Sequence, residues 1–287
     1  MLDRILKFAV VGNVISTATQ RLKVPFIKPD HPIEAVSKGN VGIEMMLFDL
    51  YFDSFDEEKK FSDQIFIENT TKNGISLKNS ASLSCQTLFR LCAVGLRRNC
   101  FVEEEFEKLV QESITFTRIT HRSSKAILNG ILISTAVSYI LEKRETENLM
   151  DFLIDNVLNK ELVRLDEISR KMIIMYLKNN EKSNFENILE HLKRNKNIVS
   201  NFSCTFKILP FIDNYFQIVE KVHSNFYTTE FFSTFLSLIY GILNPNDKDI
   251  DKFDEIIEKN EGLKKFLDNL SDKVNLSARK FDMDMKS

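Results

Sequence analysis

Two segments of this chain are apolar on almost every face of a helix, and they constrain the fold more than any other feature. Residues 124–141 carry Ile127, Leu128, Ile131, Leu132, Ile133, Ala136, Val137 and Ile140. Residues 230–243 are nearly as apolar and stop at Asn244-Pro245-Asn246. A helix that is hydrophobic all round has no face to offer water, so each must be enclosed by other elements. The rest of the chain supplies such elements, because its apolar residues recur at three- and four-residue steps. Residues 103–116 place Phe106, Leu109, Val110 and Ile114 on one face, and residues 146–158 do the same with Leu149, Phe152, Leu153 and Val157. The run 41–55 spaces Met45, Leu47/Phe48, Tyr51/Phe52 and Phe55 helically.

Three more helices follow from the pattern. One is opened by a capping box of Ser183 and Glu186, each able to bond a free N–H of the other's turn. A second covers 206–222 and is bent or restarted at Pro210, which lacks the N–H a helix needs. A third, amphipathic, begins near Asp251 and uses Phe253, Ile256, Ile257, Leu263 and Phe266. Residues 24–42, with three prolines and two glycines, and the polar stretch 68–78 around Asn73-Gly74 read as loops. Only 8 Gly and 5 Pro occur in 287 residues, too few for an all-β protein with many tight turns. The expected fold is all-α, a compact orthogonal or antiparallel helical bundle forming one domain over 1–274, with a frayed tail over 275–287.

Charge and cysteines narrow the function classes. The net charge of −2 creates no global field toward nucleic acid or anionic lipid, so neither is expected as a partner. Residues 5–15 are apolar but interrupted by Lys7 and Asn13, and no run reaches the roughly 18 apolar residues of a membrane span. No membrane is expected, and the cytoplasm is the expected location. Cys85, Cys92, Cys100 and Cys204 form no CxxC pair and no metal-ligand spacing; Cys85 and Cys92, seven apart, read as core residues. No nucleophile elbow, P-loop, dinucleotide fingerprint or HExxH is present. Asp49, Asp53 and Asp56 read as the solvated face of a helix, and Arg90 with Arg97-Arg98 as an exposed basic helix end. His31, His191 and His223 stand in no local motif of the sequence.

Six short stretches occur in a telling order: Asp3-Arg4-Ile5-Leu6, Val41-Gly42-Ile43-Glu44, Asn79-Ser80-Ala81-Ser82-Leu83-Ser84, Thr120-His121, Ser203-Cys204-Thr205-Phe206 and Thr228-Thr229-Glu230-Phe231. Over residues 3–245 their order resembles the ADP-ribosylglycohydrolase family, which includes the dinitrogenase reductase-activating glycohydrolases. The resemblance implies a helical fold that cleaves the glycosidic bond between ADP-ribose and a modified side chain, with two magnesium ions activating water. It also exposes a departure. The family's aspartates correspond here to Ser16, Gly42, Ile43 and Thr228, all neutral, and only Glu230 is acidic. Two adjacent divalent ions need several negative charges to offset their repulsion, so no metal, no other cofactor and no catalytic residue is expected.

What remains are candidate ligand contacts. The polar run Asn79, Ser80, Ser82 and Ser84 lies where the family touches its ligand; His121, Thr228 and Glu230 complete the set. Each has a plainer reading. The run could cap a helix, His121 could cap and pack, and Glu230 could complement a helix dipole. The expected function is that of a pseudoenzyme that binds a protein partner, ADP-ribosylated or not, or ADP-ribose itself. The alternatives are a divergent ADP-ribosylhydrolase rebuilt around Glu230, His121 and Glu44, and an unrelated helical interaction protein.

Overall fold

The computed structural model describes residues 1–22, 31–77, 88–178, 184–194, 198–223 and 229–277. Among the described residues are fifteen α-helices and no strand. The first half of the chain forms α1 (Leu2–Leu22), α2 (His31–Lys38), α3 (Ile43–Phe52), α4 (Asp63–Lys72), α5 (Leu91–Arg97), α6 (Glu103–Arg118) and α7 (Ser124–Lys143). The second half forms α8 (Leu149–Leu153), α9 (Glu167–Lys178), α10 (Phe185–Arg194), α11 (Ile198–Ile208), α12 (Tyr215–Ile218), α13 (Glu230–Leu243), α14 (Asp254–Lys259) and α15 (Glu261–Ser277). The fold is all-α, as the periodicity requires.

Both apolar helices are interior. Every residue of α7 from Ala126 to Leu141 is buried, and so is every residue of α13 from Phe231 to Ile242. By length and composition α7 is also apolar enough to cross a membrane, contrary to the sequence expectation, and 89% of its most apolar window is covered by the rest of the protein. α5 and α6 pack on α7, α1 and α11 pack on α13, and the two interior helices touch. One hydroxyl inside α7 ties the helix to the chain before α6: Ser138 Oγ donates to Arg98 O at 2.6 Å and accepts from Cys100 N at 2.9 Å, pinning that turn.

Two helix pairs, α1 with α13 and α5 with α7, meet at glycines. A Cβ on Gly12 of α1 would lie 2.2 Å from Ser237 Oγ of α13, and one on Gly241 would lie 2.7 Å from the Phe8 ring. A Cβ on Gly95 of α5 would meet the Ser134 carbonyl of α7 at 2.4 Å. These contacts leave no room for even a methyl group.

Several boundaries differ from the sequence reading, each for a local reason. The stretch expected as a loop over 24–42 contains α2, whose Ala35 and Val36 are buried. The loop expected over 68–78 is helical through Lys72, because Ser62 caps α4 by accepting from Ile65 N; the turn at Asn73-Gly74 stands, with Gly74 at φ 69°. The helix expected to open at Ser183 opens at Phe185 instead, capped by Asn184, which accepts from Asn187 N at 2.8 Å; Ser183 lies outside the described residues. α11 starts earlier than expected, at Ile198, and the chain does break at Pro210 in a 3-10 turn, Leu209–Phe211.

The single C-terminal helix is two helices behind a 3-10 turn, Lys248–Phe253. Asn260 separates them. Its oxygen accepts from Leu263 N, capping α15, while its amide donates to Val36 O and Gly39 O at 3.0 Å each. The charged faces also differ from expectation. Asp49 and Asp53 are bridged by Lys273 of α15. Arg97 and Arg98 are largely buried against Glu112, with Glu105 also on Arg98. Arg90 is completely buried. Cys92 and Cys204 are buried as core residues; Cys85 lies outside the described residues.

Gly95→Ala should cost about 1–3 kcal/mol by overpacking against a backbone that cannot yield. Gly262→Ala, where the nearest atom is 3.7 Å away, should instead gain roughly 0.5 kcal/mol by stiffening the unfolded chain. Urea midpoints of the two variants check both signs.

Candidate functional site

Three helices bring the residues of interest together. α3 begins at Ile43 with Gly42 as N-cap, and glycine has no side chain to bond the free amides of the first turn. Other helices supply the missing acceptors. Asn13 of α1, fully buried, accepts from Gly42 N through Oδ1 at 2.6 Å. Glu230, the first residue of α13, accepts from Glu44 N through Oε1 at 3.2 Å. The Asn13 amide then donates to Glu230 Oε1 at 2.9 Å and to Thr234 Oγ1 at 3.1 Å. A Cβ on Gly42 would come within 2.2 Å of Glu230 Oε1 and 2.6 Å of Thr17 Oγ1. Gly42 and Glu230, paired in the sequence by resemblance alone, are in contact.

The start of α13 is held in turn. Thr229 Oγ1 accepts from Phe232 N at 3.1 Å and donates to Asn201 Oδ1 of α11 at 2.9 Å. The dipole reading of Glu230 therefore widens: its carboxylate stands at the N-terminus of its own helix and answers an amide at the N-terminus of α3.

On the other side, Glu44 is buried, and its Oε2 accepts from Phe89 N at 3.0 Å. Its charge acts on Arg90, the residue before α5. Arg90 Nη2 donates to Phe116 O and to Thr120 Oγ1, both at 2.7 Å, and the guanidinium lies over the Phe116 ring at 4.6 Å. Burial lowers the Arg90 pKa to about 9, with Glu44 opposing that fall, so the group stays cationic at neutral pH. Thr120 Oγ1 lies 2.8 Å from His121 Nδ1. His121 is buried, as its packing reading required, but the capping role passes to Ser123, which accepts from Ala126 N at 3.2 Å.

Of the other candidates, Asn79, Ser80, Ser82, Ser84 and Thr228 lie outside the described residues. Asn13, Thr17 and Asn201 were not candidates. Asn13 showed itself only as a polar interruption of the apolar run 5–15, and that was the usable signal, since a polar residue inside a buried helix must find partners. Asn201 carried none.

Among the described residues no three of His, Cys, Asp and Glu gather where they could hold a metal. Glu230 and Glu44 each give an oxygen to backbone amides, and Arg90 adds positive charge beside Glu44 where a metal pair would need further negative charge.

Glu230→Ala should destabilise the fold by about 1–3 kcal/mol, because it removes the acceptor of the Glu44 backbone amide and one of the two acceptors of the Asn13 side-chain amide in a part-buried site. Glu230→Gln keeps an acceptor at Oε1 and should cost less than half as much. Denaturant titration of both variants separates a capping role from a purely charged one. In comparisons with known proteins, no family model matches this chain and no curated protein matches it.

Proposed function

We propose that this chain is a non-hydrolytic, ADP-ribosylglycohydrolase-like scaffold that acts by binding a protein partner or an ADP-ribose-related ligand. One observation supports the reading above the others. Gly42 and Glu230, which the resemblance assigns to the two halves of a dinuclear metal site, come together from α3 and α13. The acid that meets the glycine accepts from the Asn13 amide and the Glu44 N–H, a capping arrangement. Such an arrangement keeps the helical framework of a hydrolase while spending its charge on stability.

The neighbouring carboxylate of Glu44 sustains one competing reading, a hydrolase rebuilt around Glu44 and Glu230. Calorimetric titration with ADP-ribose, with and without magnesium, tests the proposal together with an assay for ADP-ribose release from arginine- and serine-modified peptides. Binding that is indifferent to magnesium and no release above the blank are the expected results. Tight magnesium-dependent binding would overturn the metal-free reading. Release that Glu230→Gln abolishes would make the chain an enzyme, and the absence of any ADP-ribose binding would remove the ligand half of the proposal.

A further inference from the structure

His223 ends a π-helical turn, Val219–His223, that continues α12, and it is completely buried. Its Nε2 lies 2.7 Å from Ser237 Oγ of α13. One donor whose direction is certain orders the bonds around it. Tyr215 Oη reaches the Phe8 carbonyl at 3.0 Å, and a carbonyl can only accept. Tyr215 has therefore used its hydrogen, and its oxygen accepts from Ser237 Oγ at 3.3 Å. Ser237, having donated to Tyr215, accepts from His223, so the imidazole hydrogen sits on Nε2. The bare nitrogen is Nδ1, which is buried without a hydrogen-bond partner.

The Ser237–His223 contact has the spacing of a nucleophile and its base, but the serine cannot be reached. The α1 backbone at Gly12 packs onto its oxygen so closely that a Cβ there would lie 2.2 Å away. What the arrangement can do is respond to protons. A proton from solvent arriving at Nδ1 would create an N–H with no acceptor and a charge with no counter-ion, both costly in an apolar interior. The charged groups of the packed elements all have other partners or face solvent: on the 3-10 turn Lys248–Phe253, Asp249 accepts from Phe216 N and pairs with Lys252, and Lys248 is exposed. On α1, Arg4 pairs with Asp251 and Lys7 with Asp254. On α13, Glu230 is held by Asn13 and the Glu44 amide. On the turn itself Glu220 and Lys221 are exposed, and α12 offers only the Tyr215 phenol. Burial alone pushes the His223 imidazole down to about 3.

We propose that His223 is an acid-sensitive latch: when Nδ1 gains a proton, the segment from Tyr215 to His223 leaves α1 and α13 while the α5–α7 core stays folded. The segment is suited to separate motion. It is short, it follows the break at Pro210, and its main packing partners are α1, α13 and the 3-10 turn Lys248–Phe253. The direction of the response follows from linkage. A histidine whose pKa in the closed form lies below its free value of about 6.5 favours closure fully above that pH. Each unit below it shifts the balance roughly tenfold toward opening, down to about pH 3.

Amide hydrogen exchange across pH 7.5 to 4.5, corrected for intrinsic rates, tests the latch. Between pH 6.5 and 4.5 the opening of residues 215–223 should rise on the order of 100-fold, with α6 and α7 keeping their protection. In His223→Gln, whose amide can still donate to Ser237 but does not titrate, the rise should vanish. Equal loss of protection in α6 and α7, a flat wild-type response, or an unchanged rise in the Gln variant would each overturn the proposal. If the variant does not fold, imidazole NMR of the wild type decides. An Nδ1 signal that stays unprotonated to below pH 5 in the closed form supports the latch, and titration near 6.5 with the segment still packed refutes it.

Discussion

The close approach of α1 and α13 is the contact on which the rest of the structure depends. Gly12 and Gly241 remove the side chains that would hold the two helices apart, and Ser237 and Phe8 fill the space they leave. Backbones that approach this closely place polar side chains of one helix within reach of the other. Asn13, one residue beyond Gly12, can then bond both the start of α3 and the first residue of α13. On the same helix the Phe8 carbonyl becomes the acceptor for Tyr215, which orders the hydrogen bonds through Ser237 to His223. The packing contact and the polar interior are one feature.

The polar interior in turn answers a general problem of helical proteins. Every helix start carries amides with no intrahelical partner and a partial positive charge. Where helix starts converge inside the protein, water cannot serve them. Here the acceptors come from across the fold: Asn13 and Glu230 for α3, and Thr229 with Asn201 around the start of α13. Glu44 does the same for the amide of Phe89 and balances the buried cation of Arg90. Removing a single partner from such a set leaves its neighbours unsatisfied, so these residues carry more consequence than their small number suggests.

Legibility in the sequence varied with the range of the interaction. The interior position of α7 and α13, the start of α13 at Glu230, the break at Pro210 and the turn at Gly74 were all readable, because each depends on residues within a turn or two of one another. α2 was not, since eight residues beside prolines give too short a period to recognise. Arg90, Arg97 and Arg98 read as an exposed patch because charge suggests solvent; Glu112, Glu105, Glu44 and the Phe116 carbonyl, distant in sequence, make their burial possible. In the candidate site, Gly42 and Glu230 were paired by resemblance, whereas Asn13 was marked only as a polar break in an apolar run and Asn201 by no local pattern.

The sequence by itself determined that this chain is helical and which helices lie inside, because apolar periodicity records burial one turn at a time. Tertiary structure decided what the buried polar groups do. Glu230 meets Asn13 217 residues away and Glu44 186 residues away, and no local pattern carries that distance. The carboxylate at the start of α13 caps α3, and a histidine with no partner in the local sequence sits against Ser237 with one nitrogen bare. Both outcomes depend on which backbones approach closely enough to exclude water, and that is settled only when the helices pack.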